Sequence, residues 1–588
     1  MSTVDLRART VAETVFVAAK RDPDHIALRY RAGGQWRDET AESLAETVRA
    51  LTAGLVSTGL QPGDRVCILA DTRREWTYAC LAVLAAGAVV VPIYPSSSVE
   101  DCAWVIGDSG ADLVVCATAS QHAKVVAAGA ADVVTMEPAP GAARTLADLV
   151  ELGRSALAES DAVAYELRER LDAITPDDLA VIIYTSGTTG PPKGCVLTHR
   201  NWLTLIAIND ELAYVTGADV VYLFLPLAHV FAQLEQFACL SCGATLVYFG
   251  GDVKQVVAEL AEVRPTFLPS VPRIFEKLYT AITGTLDEET VRTAVRVGVE
   301  YRRRERAGEP VPAELAAGFE RLEPLYAKVR GAFGGRLRQA LSGAAPIAPE
   351  VLEFFHAAGV PVLEGYGMTE TTGVGTVNTL DAFKIGTVGR PAPGVEVRVA
   401  DDGELLMRGP QLFGGYWRNE PATAATVDAE GWLHTGDLGS MDAEGYVTIT
   451  GRKKDIIITA GGKNIAPANL ENELRQSRWI SHAVMIGDRR PYPVALITLD
   501  EDEILPWARD HGLPADLPAL AAHPEVHALV QGVLDGVNAR HATTEQIKRF
   551  AVLDRDLSID GGELTPSLKV KRATVLANHA DTVAALYR

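Results

Sequence analysis

Residues 180–194 read AVIIYTSGTTGPPKG, and this stretch decides the fold class. Its first five residues are apolar without interruption, which is typical of a strand buried on both faces. The strand runs into a loop rich in Gly, Ser and Thr that reaches Lys193. Glycines let backbone amides turn toward an anion, and hydroxyls and a lysine add donors, so the loop suits a polyphosphate. Thr198 then predicts the N-cap of a helix that starts near His199.

Two common phosphate-binding patterns are excluded at this loop. No glycine here is followed five residues later by Gly-Lys, so it is not a Walker A loop, and the GxGxxG dinucleotide pattern is also missing. The alternative is an ordinary flexible turn. A run of Gly, Ser and Thr followed by Pro-Pro-Lys-Gly is an unusual way to build one.

Further apolar runs at 65–70, 89–94, 112–117 and 244–249 alternate with helical patterns along the chain. This alternation predicts an α/β architecture in which helices cover mixed sheets. Beyond residue 395 the pattern changes to hairpins, with Asp402-Gly403 as a turn signal. A helix-rich stretch that follows an apolar strand after Asp455 predicts a small C-terminal domain that begins near residue 454.

Composition narrows the class of protein. The chain has 588 residues, which is longer than one ordinary domain. Its net charge is −21, and nucleic-acid binding needs clustered positive charge, so the chain is a poor candidate for a nucleic-acid-binding protein. A bound polyanion would therefore need local positive charge. The seven cysteines are irregularly spaced, and the single CxxC, Cys239 to Cys242, has no second ligand pair that would complete a zinc site. We therefore expect the cysteines to be buried free thiols, which fits a reducing cytoplasm. The longest apolar run, 79–93, is short and broken by Gly87 and Pro92, so no membrane-spanning segment is predicted.

Residues 279–335 carry dense charge, including Arg302 to Arg306, and few strand signals. We interpret them as a helical insertion on the surface. Its arginines form either a solvated helix face or a contact with a membrane surface or a second subunit.

Several motifs, in order, carry a resemblance to a known family. The loop YTSGTTGPPKG resembles the phosphate-loop signature of the adenylate-forming superfamily, which includes acyl-CoA synthetases, luciferases and peptide-synthetase adenylation domains. The other motifs that resemble this family, in its order, are LAAGAVVVPIYP (84–95), LSGAAPIAPEVLEFF (341–355), EGYGMTET (364–371), WLHTGDLG (432–439), GRKKDIIITAGGKNIAP (451–467) and LTPSLKVKR (564–572). The resemblance covers residues from about 40 to about 575.

The resemblance implies a fold and a domain organisation. A large N-terminal domain of several subdomains, 1–453, would have mixed β-sheets flanked by helices and carry the insertion at about 279–335. A small, mobile α+β C-terminal domain, 454–588, would carry the catalytic lysine. Lys454 falls on the family's hinge position, and Gly461, Gly462 and Lys463 fall on a loop that faces the thioester-forming site.

The resemblance also implies the site residues. The nucleotide-binding positions are Thr185, Ser186, Gly187, Thr188, Thr189, Gly190, Gly343, Ala344, Glu364, Gly365, Tyr366, Gly367, Asp437 and Arg452. Tyr366 is expected to stack on adenine, and Asp437 to accept the ribose hydroxyls beside Arg452. Glu370, with Thr185, offers oxygen ligands to Mg²⁺.

The catalytic positions implied are Lys569, Thr369, Glu370, Lys193 and His229. Thr369 would reach the α-phosphate, and His229 would border the acyl pocket unless it is an ordinary buried histidine. Lys569 would touch the reacting carboxylate and the α-phosphate. Leu568 departs from the family pattern, where glycine is usual, and Lys571 is a nearby rival for Lys569. The site would thus bring its own positive charge, from Lys193, Arg452, Lys453, Lys454, Lys463 and Lys569.

The function implied is activation of a fatty acid by ATP and Mg²⁺ to an acyl adenylate, followed by transfer to coenzyme A. The insertion and the LKVKR ending favour a long-chain acid. Three alternatives stay open: a ligase that loads a separate carrier protein, a CoA ligase for a medium-chain or specialised acid, and a silent adenylate-binding protein. We expect a cytoplasmic enzyme without nucleic-acid partners, and the sequence leaves open a homodimer and peripheral contact with the inner face of a membrane. In this scheme Lys454→Pro spares adenylate formation and slows thioester formation.

Overall fold

The computed structural model describes residues 8–185, 191–460 and 463–588. The strands are β1 (Ile26–Ala32), β2 (Gln35–Thr40), β3 (Arg65–Leu69), β4 (Val89–Ile93), β5 (Leu113–Cys116), β6 (Asp132–Thr135), β7 (Arg144–Thr145), β8 (Leu179–Thr185), β9 (Lys193–Thr198), β10 (Val220–Leu223), β11 (Thr245–Tyr248), β12 (Phe267–Ser270), β13 (Gln339–Ser342), β14 (Val362–Tyr366), β15 (Thr376–Val377), β16 (Arg390–Pro391), β17 (Glu396–Val399), β18 (Glu404–Arg408), β19 (Leu433–Met441), β20 (Val447–Arg452), β21 (Ile457–Ile458), β22 (Asn464–Ile465), β23 (Ile480–Ile486), β24 (Val494–Leu499) and β25 (Arg549–Val552).

The α-helices are α1 (Thr14–Arg21), α2 (Ala41–Ser57), α3 (Arg74–Ala85), α4 (Val99–Ser109), α5 (Ala119–Ala127), α6 (Leu146–Glu159), α7 (Asp161–Ala173), α8 (His199–Leu212), α9 (Val230–Cys242), α10 (Val256–Val263), α11 (Pro272–Thr283), α12 (Glu288–Ala307), α13 (Ala313–Ala332), α14 (Pro349–Ala357), α15 (Glu420–Thr426), α16 (Pro467–Arg475), α17 (Glu501–Asp510), α18 (Leu517–Ala521), α19 (Pro524–Asn538), α20 (Arg572–Asn578) and α21 (Ala580–Leu586). The mixture of mixed sheets and helices confirms the predicted α/β class.

The quoted stretch forms β8 in a seven-stranded sheet of order β7-β6-β5-β3-β4-β8-β9. β8 is parallel to β4 and antiparallel to β9. Its side chains enter two different cores, with Val181 and Ile183 on one face and Ile182 and Tyr184 on the other. An uninterrupted apolar run is therefore what this strand requires. Thr198 caps α8, as predicted, through a reciprocal capping box with Asn201.

A nine-stranded sheet of order β16-β15-β14-β13-β12-β10-β11-β1-β2 forms the second large layer. Its central strands run parallel, and the two ends are antiparallel. The largest apolar core joins one face of each large sheet to residues of α2, α3, α8 and α9. These helices hold the two sheets in a fixed relation, so residues at the ends of β8 and β14 can serve one site.

The charged segment is helical, as the sequence predicts. Helices α11, α12 and α13 pack over the outer face of the nine-stranded sheet in a second core. Arg303 and Arg304 pair with Glu300 and Glu309, while Arg302 pairs with Glu305. These ion pairs neutralise much of the cluster, which favours the solvated-face interpretation.

The segment from 395 to 452 forms a four-stranded antiparallel sheet of order β17-β18-β19-β20. Its first hairpin turns at Gly403, whose φ is +84°, as the Asp-Gly signal predicts. The apolar stretch after Asp455 forms only the two-residue strand β21, paired with β22. This strand is shorter than the sequence suggests.

Strands β23, β24 and β25 form a separate three-stranded sheet with an apolar core on each face. Two ion pairs join this C-terminal region to earlier elements, Arg273 with Asp500 and Lys254 with Asp502. A hydrogen bond from Ser96 Oγ to the Pro566 carbonyl, 2.7 Å long, is a third contact. Within the described ranges, no helix combines the length and apolarity needed to cross a membrane.

Candidate active site

The predicted nucleotide residues gather where strands of the two large sheets end. β8 ends at Thr185, β13 ends immediately before Gly343, and β14 ends at Tyr366. In open α/β sheets, ligands bind outside the carboxyl ends of the strands. Ser186 to Gly190 of the phosphate loop, and Gly461 and Gly462, lie outside the described residues.

Tyr366, Asp437 and Arg452 form a hydrogen-bonded group beside these strand ends. Asp437 on β19 lies opposite Arg452 on β20, so the sheet register places the two side chains together. Arg452 Nε is 2.9 Å from Asp437 Oδ1, and the Tyr366 hydroxyl donates to Oδ2 at 2.5 Å. Burial, with the Asp437 charge, raises the pKa of Tyr366 well above its ordinary value. The phenol therefore stays a donor, and the Asp437 carboxylate is fixed in orientation.

Glu370 lies in the short 3₁₀ turn after β14, next to Thr369, and both side chains are buried. The Tyr416 hydroxyl donates to Glu370 Oε1 at 2.7 Å. Lys193 Nζ lies 4.9 Å from the centroid of the Tyr416 ring, in cation–π range. Tyr416 thus joins the lysine that ends the phosphate loop to the carboxylate of the GYGMTE motif. Tyr416 stands in none of the motifs that carry the family resemblance, so the sequence alone does not indicate it.

Lys569 reaches this group from the C-terminal region. Its loop is closed by a bridge between Leu564 and Val570 and by a hydrogen bond from Thr565 N–H to the Lys569 carbonyl at 2.8 Å. The side chain is open to solvent within a cleft that protein surrounds, and this enclosure lowers the pKa of the ammonium. Arg452 lowers the pKa further, while Glu370 and Asp437 raise it. Lys569 is therefore within electrostatic range of all three predicted site residues.

The rival Lys571 has a different role in the fold. It stands at the N-cap of α20, and its backbone N–H donates to the Glu563 carbonyl at 2.7 Å. Leu568, which precedes Lys569, has a φ of +62°. That conformation favours glycine, which explains why a glycine at this position is the usual choice.

His229 marks the boundary between the cleft and an apolar cavity. It caps α9 by accepting from the Phe231 N–H through Nδ1 at 3.1 Å, so its Nε2 carries the proton when the ring is neutral. Burial, and then the charge of Lys569, lower the pKa of His229 to about 4. The ring is therefore neutral near pH 7.

The cavity has a volume of about 90 Å³ and an apolar wall. It is lined by Leu205, Ile208, Asn209, Leu212, Tyr214, Val215, His229, Val230, Phe231, Leu234, Glu235, Leu341, Gly343, Ala344, Gly365, Tyr366, Gly367, Gly373, Val374, Thr376 and Val377. Five of the predicted nucleotide residues, Gly343 to Ala344 and Gly365 to Gly367, thus face the cavity. Gly367 approaches the Gly373 backbone so closely that a Cβ would lie 2.2 Å from its carbonyl oxygen.

Other predicted residues are placed as follows. Glu364 on β14 is buried, and burial raises its pKa to about 8. Lys454 lies in a turn between Arg452 and Asp455. Two lysines expected to add positive charge to the site are paired elsewhere, Lys453 with Asp402 and Glu404, and Lys463 with Glu545. The positive charge near the reacting centre comes instead from Arg452, Lys193 and Lys569.

The end of β8 is held by residues that the sequence analysis did not select. The Tyr184 hydroxyl donates to Asp108 Oδ2 at 2.6 Å, and Trp417 Nε1 donates to the Asp108 carbonyl at 3.1 Å. Trp104 Nε1 donates to the carbonyl of Pro192, near the C-terminal end of the phosphate loop, at 2.9 Å. Asp108 and Trp104 lie on α4, so this helix fixes both flanks of the loop. Only the fold brings these residues together.

Comparison with known proteins agrees with this geometry. The sequence model of the AMP-binding enzyme family matches residues 15–417, and that of the AMP-binding enzyme C-terminal domain matches residues 454–588. The long-chain-fatty-acid–CoA ligase FadD15 of Mycobacterium bovis is 41% identical over 589 residues, which cover 98% of this chain and 97% of the relative. The long-chain-fatty-acid–CoA ligase ACSBG2 of Xenopus laevis is 30% identical, over 96% of this chain and 82% of its own.

Solved structures share the fold at low sequence identity. The A-PCP didomain of carboxylic acid reductase from Segniliparus rugosus, in complex with AMP, aligns with a TM-score of 0.73 and 20% identity, over 99% of this chain and 82% of that chain. O-succinylbenzoate coenzyme A synthetase from Bacillus subtilis, in complex with AMP, aligns with a TM-score of 0.67 and 21% identity, over 95% and 97%. The chain therefore belongs to the AMP-binding enzymes of the adenylate-forming superfamily.

Proposed function

We propose that the chain is an AMP-forming ligase that joins a long-chain fatty acid to coenzyme A. One observation carries this proposal: Lys569 lies in range of Glu370, Asp437 and Arg452 at the mouth of an apolar cavity. Its apolar lining suits a hydrocarbon chain. The cationic group at its mouth suits the meeting of a carboxylate with a nucleotide phosphate. Relatives named as long-chain-fatty-acid–CoA ligases, matched over nearly the whole chain, support the same substrate.

The chemistry solves a leaving-group problem. A free carboxylate is a poor acyl donor because oxide would have to leave. In the first half-reaction a carboxylate oxygen attacks the α-phosphorus of ATP, the bond to the β-phosphate oxygen breaks, and pyrophosphate departs. In the second, a thiolate of coenzyme A attacks the acyl carbon and AMP leaves with the bonding pair. Asp437, held by Tyr366 and Arg452, is placed to accept the ribose hydroxyls and so to orient the nucleotide.

Lys569, Thr369 and Lys193 stabilise the charge that develops at phosphorus in the first step. A positioned charged donor of this kind is worth about 3 kcal/mol, or roughly a hundredfold in rate. His229, neutral and with Nε2–H free to donate, borders the path between carboxylate and cavity. Because the chain carries a net charge of −21, the attraction of Lys569 for a carboxylate is expected to act at short range. Its effect is local, within the cleft.

Mg²⁺ belongs with the nucleotide in this proposal. Glu370 offers a buried carboxylate that Tyr416 holds in place, and Thr185 is near the end of β8. In the described ranges, no group of three or more His, Cys, Asp or Glu side chains could hold a metal alone. One protein carboxylate fits an ion that takes most of its ligands from phosphates and water. The bound ion would neutralise charge on the phosphates.

The two half-reactions need two arrangements of the chain. Residues 1–453 form the adenylation domain in this proposal, and residues 454–588 rotate about Lys454. Rotation withdraws Lys569 and brings the loop at Gly461, Gly462 and Lys463 toward the thioester site. A homodimer, and peripheral membrane contact, stay predictions of the sequence.

The test is acid-dependent release of AMP and pyrophosphate with and without coenzyme A, for acids from acetate to oleate. We expect activity to rise with chain length and the thioester to form only with coenzyme A. Adenylate that forms without any CoA thioester would favour the alternative, in which a carrier protein receives the acyl group. A response that is flat in chain length would contradict the long-chain assignment.

A further inference from the structure

Glu235 is a carboxyl group in the wall of the acyl cavity, six residues after His229 on α9. The residue is 1% exposed, and it lines the cavity together with Phe231, one helical turn earlier. Its buried Oε2 has no hydrogen-bond partner among the described residues. Burial raises the pKa of Glu235 to about 8, so the group is a neutral acid near pH 7.

Apart from His229 at the edge of the cavity, the other polar side chains of its wall already have hydrogen-bond partners. Asn209 exchanges two hydrogen bonds with the Val215 backbone, and the Tyr214 hydroxyl donates to the Asn378 carbonyl. The Thr376 hydroxyl donates to the Val388 carbonyl. Deep in this cavity, Glu235 is therefore the described side chain that a ligand can still pair with. A buried polar group without a partner costs about 1–3 kcal/mol, so it calls for an explanation.

We propose that Glu235 is a specificity residue that accepts fatty acids carrying a hydroxyl or oxo oxygen in mid-chain. This inference rests on the proposed function, because it names the substrate class of the same cavity. An unsubstituted chain leaves the carboxyl unpaired, whereas an oxygen on the chain completes its hydrogen bonds. A protonated carboxyl can donate to an oxo group, and it can both donate to and accept from a hydroxyl.

For an acyl chain that lies alongside α9, the rise of the helix gives the position of that oxygen along the chain. At about 1.5 Å per residue, Glu235 lies roughly 9 Å beyond His229 along α9. An extended chain advances roughly 1.2 Å per bond, so this distance corresponds to about seven or eight bonds. Since His229 borders the carboxylate end, the preferred oxygen is expected near carbons 8 to 10.

Burial determines the charge state of Glu235, because no described charged neighbour shifts its pKa in the opposite direction. Tyr214 and Cys239 lie close enough to feel its charge, and burial raises the pKa of both. His229, at the near end of the same helix, is neutral above about pH 4. Beyond Tyr214, Arg338 is paired with Asp219 at 2.8 Å. No described cation faces Glu235 in a way that would hold it ionised at pH 7.

The test compares hexadecanoic acid with its 8-, 10- and 16-hydroxy forms in AMP release by the full-length enzyme. We expect the wild type to favour the 8- or 10-hydroxy acid over the 16-hydroxy acid. Glu235→Leu should lower the ratio of kcat/KM for the mid-chain hydroxy acid to that for hexadecanoic acid about tenfold, which corresponds to one hydrogen bond. Glu235→Gln, which keeps a donor and an acceptor, should retain most of the ratio.

The pH dependence of kcat/KM is a second test, because a Glu235 that only supported the fold would not change it. For hexadecanoic acid, kcat/KM of the wild type should fall as the pH rises through 8, because the carboxyl ionises, and that of Glu235→Gln should not. Equal substrate ratios in wild type and both variants would overturn the inference while leaving the ligase intact. If no fatty acid releases AMP at all, the proposed function fails instead.

Discussion

Lys569 is the residue whose removal should separate the two half-reactions. Lys569→Ala should slow acid-dependent ATP–pyrophosphate exchange by roughly a hundredfold or more, because a positioned charged donor is lost. Formation of acyl-CoA from a supplied acyl adenylate should change less than threefold. The matched control is Lys571→Ala, since Lys571 caps α20. A comparable loss of exchange in Lys571→Ala would assign the catalytic role to the rival lysine.

Tyr416 is a positioning residue that the motifs did not indicate. Tyr416→Phe keeps the ring under Lys193 and removes the donor to Glu370. We expect a rise of about tenfold in the Mg²⁺ concentration for half-maximal exchange, because the Glu370 carboxylate loses its fixed orientation. Tyr165→Phe, at an exposed tyrosine, serves as the control. An unchanged Mg²⁺ requirement in Tyr416→Phe would contradict this role.

At the scale of elements, one loop connects β4 to the loop of Lys569. Lys124 of α5 donates to the Pro95 and Ser97 carbonyls at 3.0 and 2.7 Å, and Ser96 Oγ donates to the Pro566 carbonyl. Ser96→Ala should therefore slow adenylation three- to tenfold by weakening the hold on the Lys569 loop. The thioester step from supplied acyl adenylate should be unaffected. Ser155→Ala, at an exposed serine of α6, is the control, and equal slowing of both half-reactions by Ser96→Ala would count against a latch.

The structure around Lys454 gives a different expectation for Lys454→Pro from the one that the sequence gives. The Asp455 N–H donates to the Arg452 carbonyl at 3.0 Å, so Lys453 and Lys454 are the central residues of a turn. A proline at the second central position disfavours the helical conformation of the residue before it. We therefore expect Lys454→Pro to slow both half-reactions, because Arg452 itself closes the turn. Lys454→Ala should leave adenylation within twofold, and wild-type adenylation in Lys454→Pro would restore the simpler hinge model.

Much of the fold was predictable at this scale because local rules decide it. β8 is apolar throughout because its two faces lie in two different cores. Thr198 and Asn201 form the capping box of α8, and Asp402-Gly403 forms the turn of the hairpin. The site was predictable only where motif residues carry it. Tyr416, Asp108 and Glu235 have no local signal, because their roles arise from contacts between distant elements. The strand after Asp455 was overestimated, since only Ile457 and Ile458 pair there, and the Ile458 side chain is 50% exposed.

At the scale of the whole molecule, positive charge is concentrated in one cleft of an acidic chain. The net charge is −21, yet Arg452, Lys193 and Lys569 converge at the site, and other cations are held in surface ion pairs. The cleft also holds the Glu370 and Asp437 carboxylates, so its attraction for an anion acts at short range, and salt screens the outer surface over about 10 Å at 0.1 M. Anionic substrates are thus stabilised on arrival and repelled elsewhere.

Three histidines whose pKa values are lowered contribute to the acid stability of the whole molecule; His199 is buried, and His229 and His356 are half-buried. Burial is the main cause that lowers the pKa of His199, His229 and His356 to about 4. The ordinary histidine pKa is about 6.5, so between pH 6.5 and 4 the unfolded chain binds protons that the folded chain does not. Stability contributed by these neutral rings is therefore complete above pH 6.5 and is lost as the pH falls toward 4.

His199 offers the cleanest test, because it is fully buried and its Nδ1 has no partner among the described residues. On going from pH 7.5 to 5.0, wild type should lose on the order of 2 kcal/mol at this one site. His199→Leu, which cannot titrate, should show a smaller fall in thermal midpoint over the same interval. The comparison with His511→Leu, at an exposed histidine, removes the general effect of protonating carboxylates on an acidic chain. Equal falls in wild type and His199→Leu would show that the ring is not held neutral by burial.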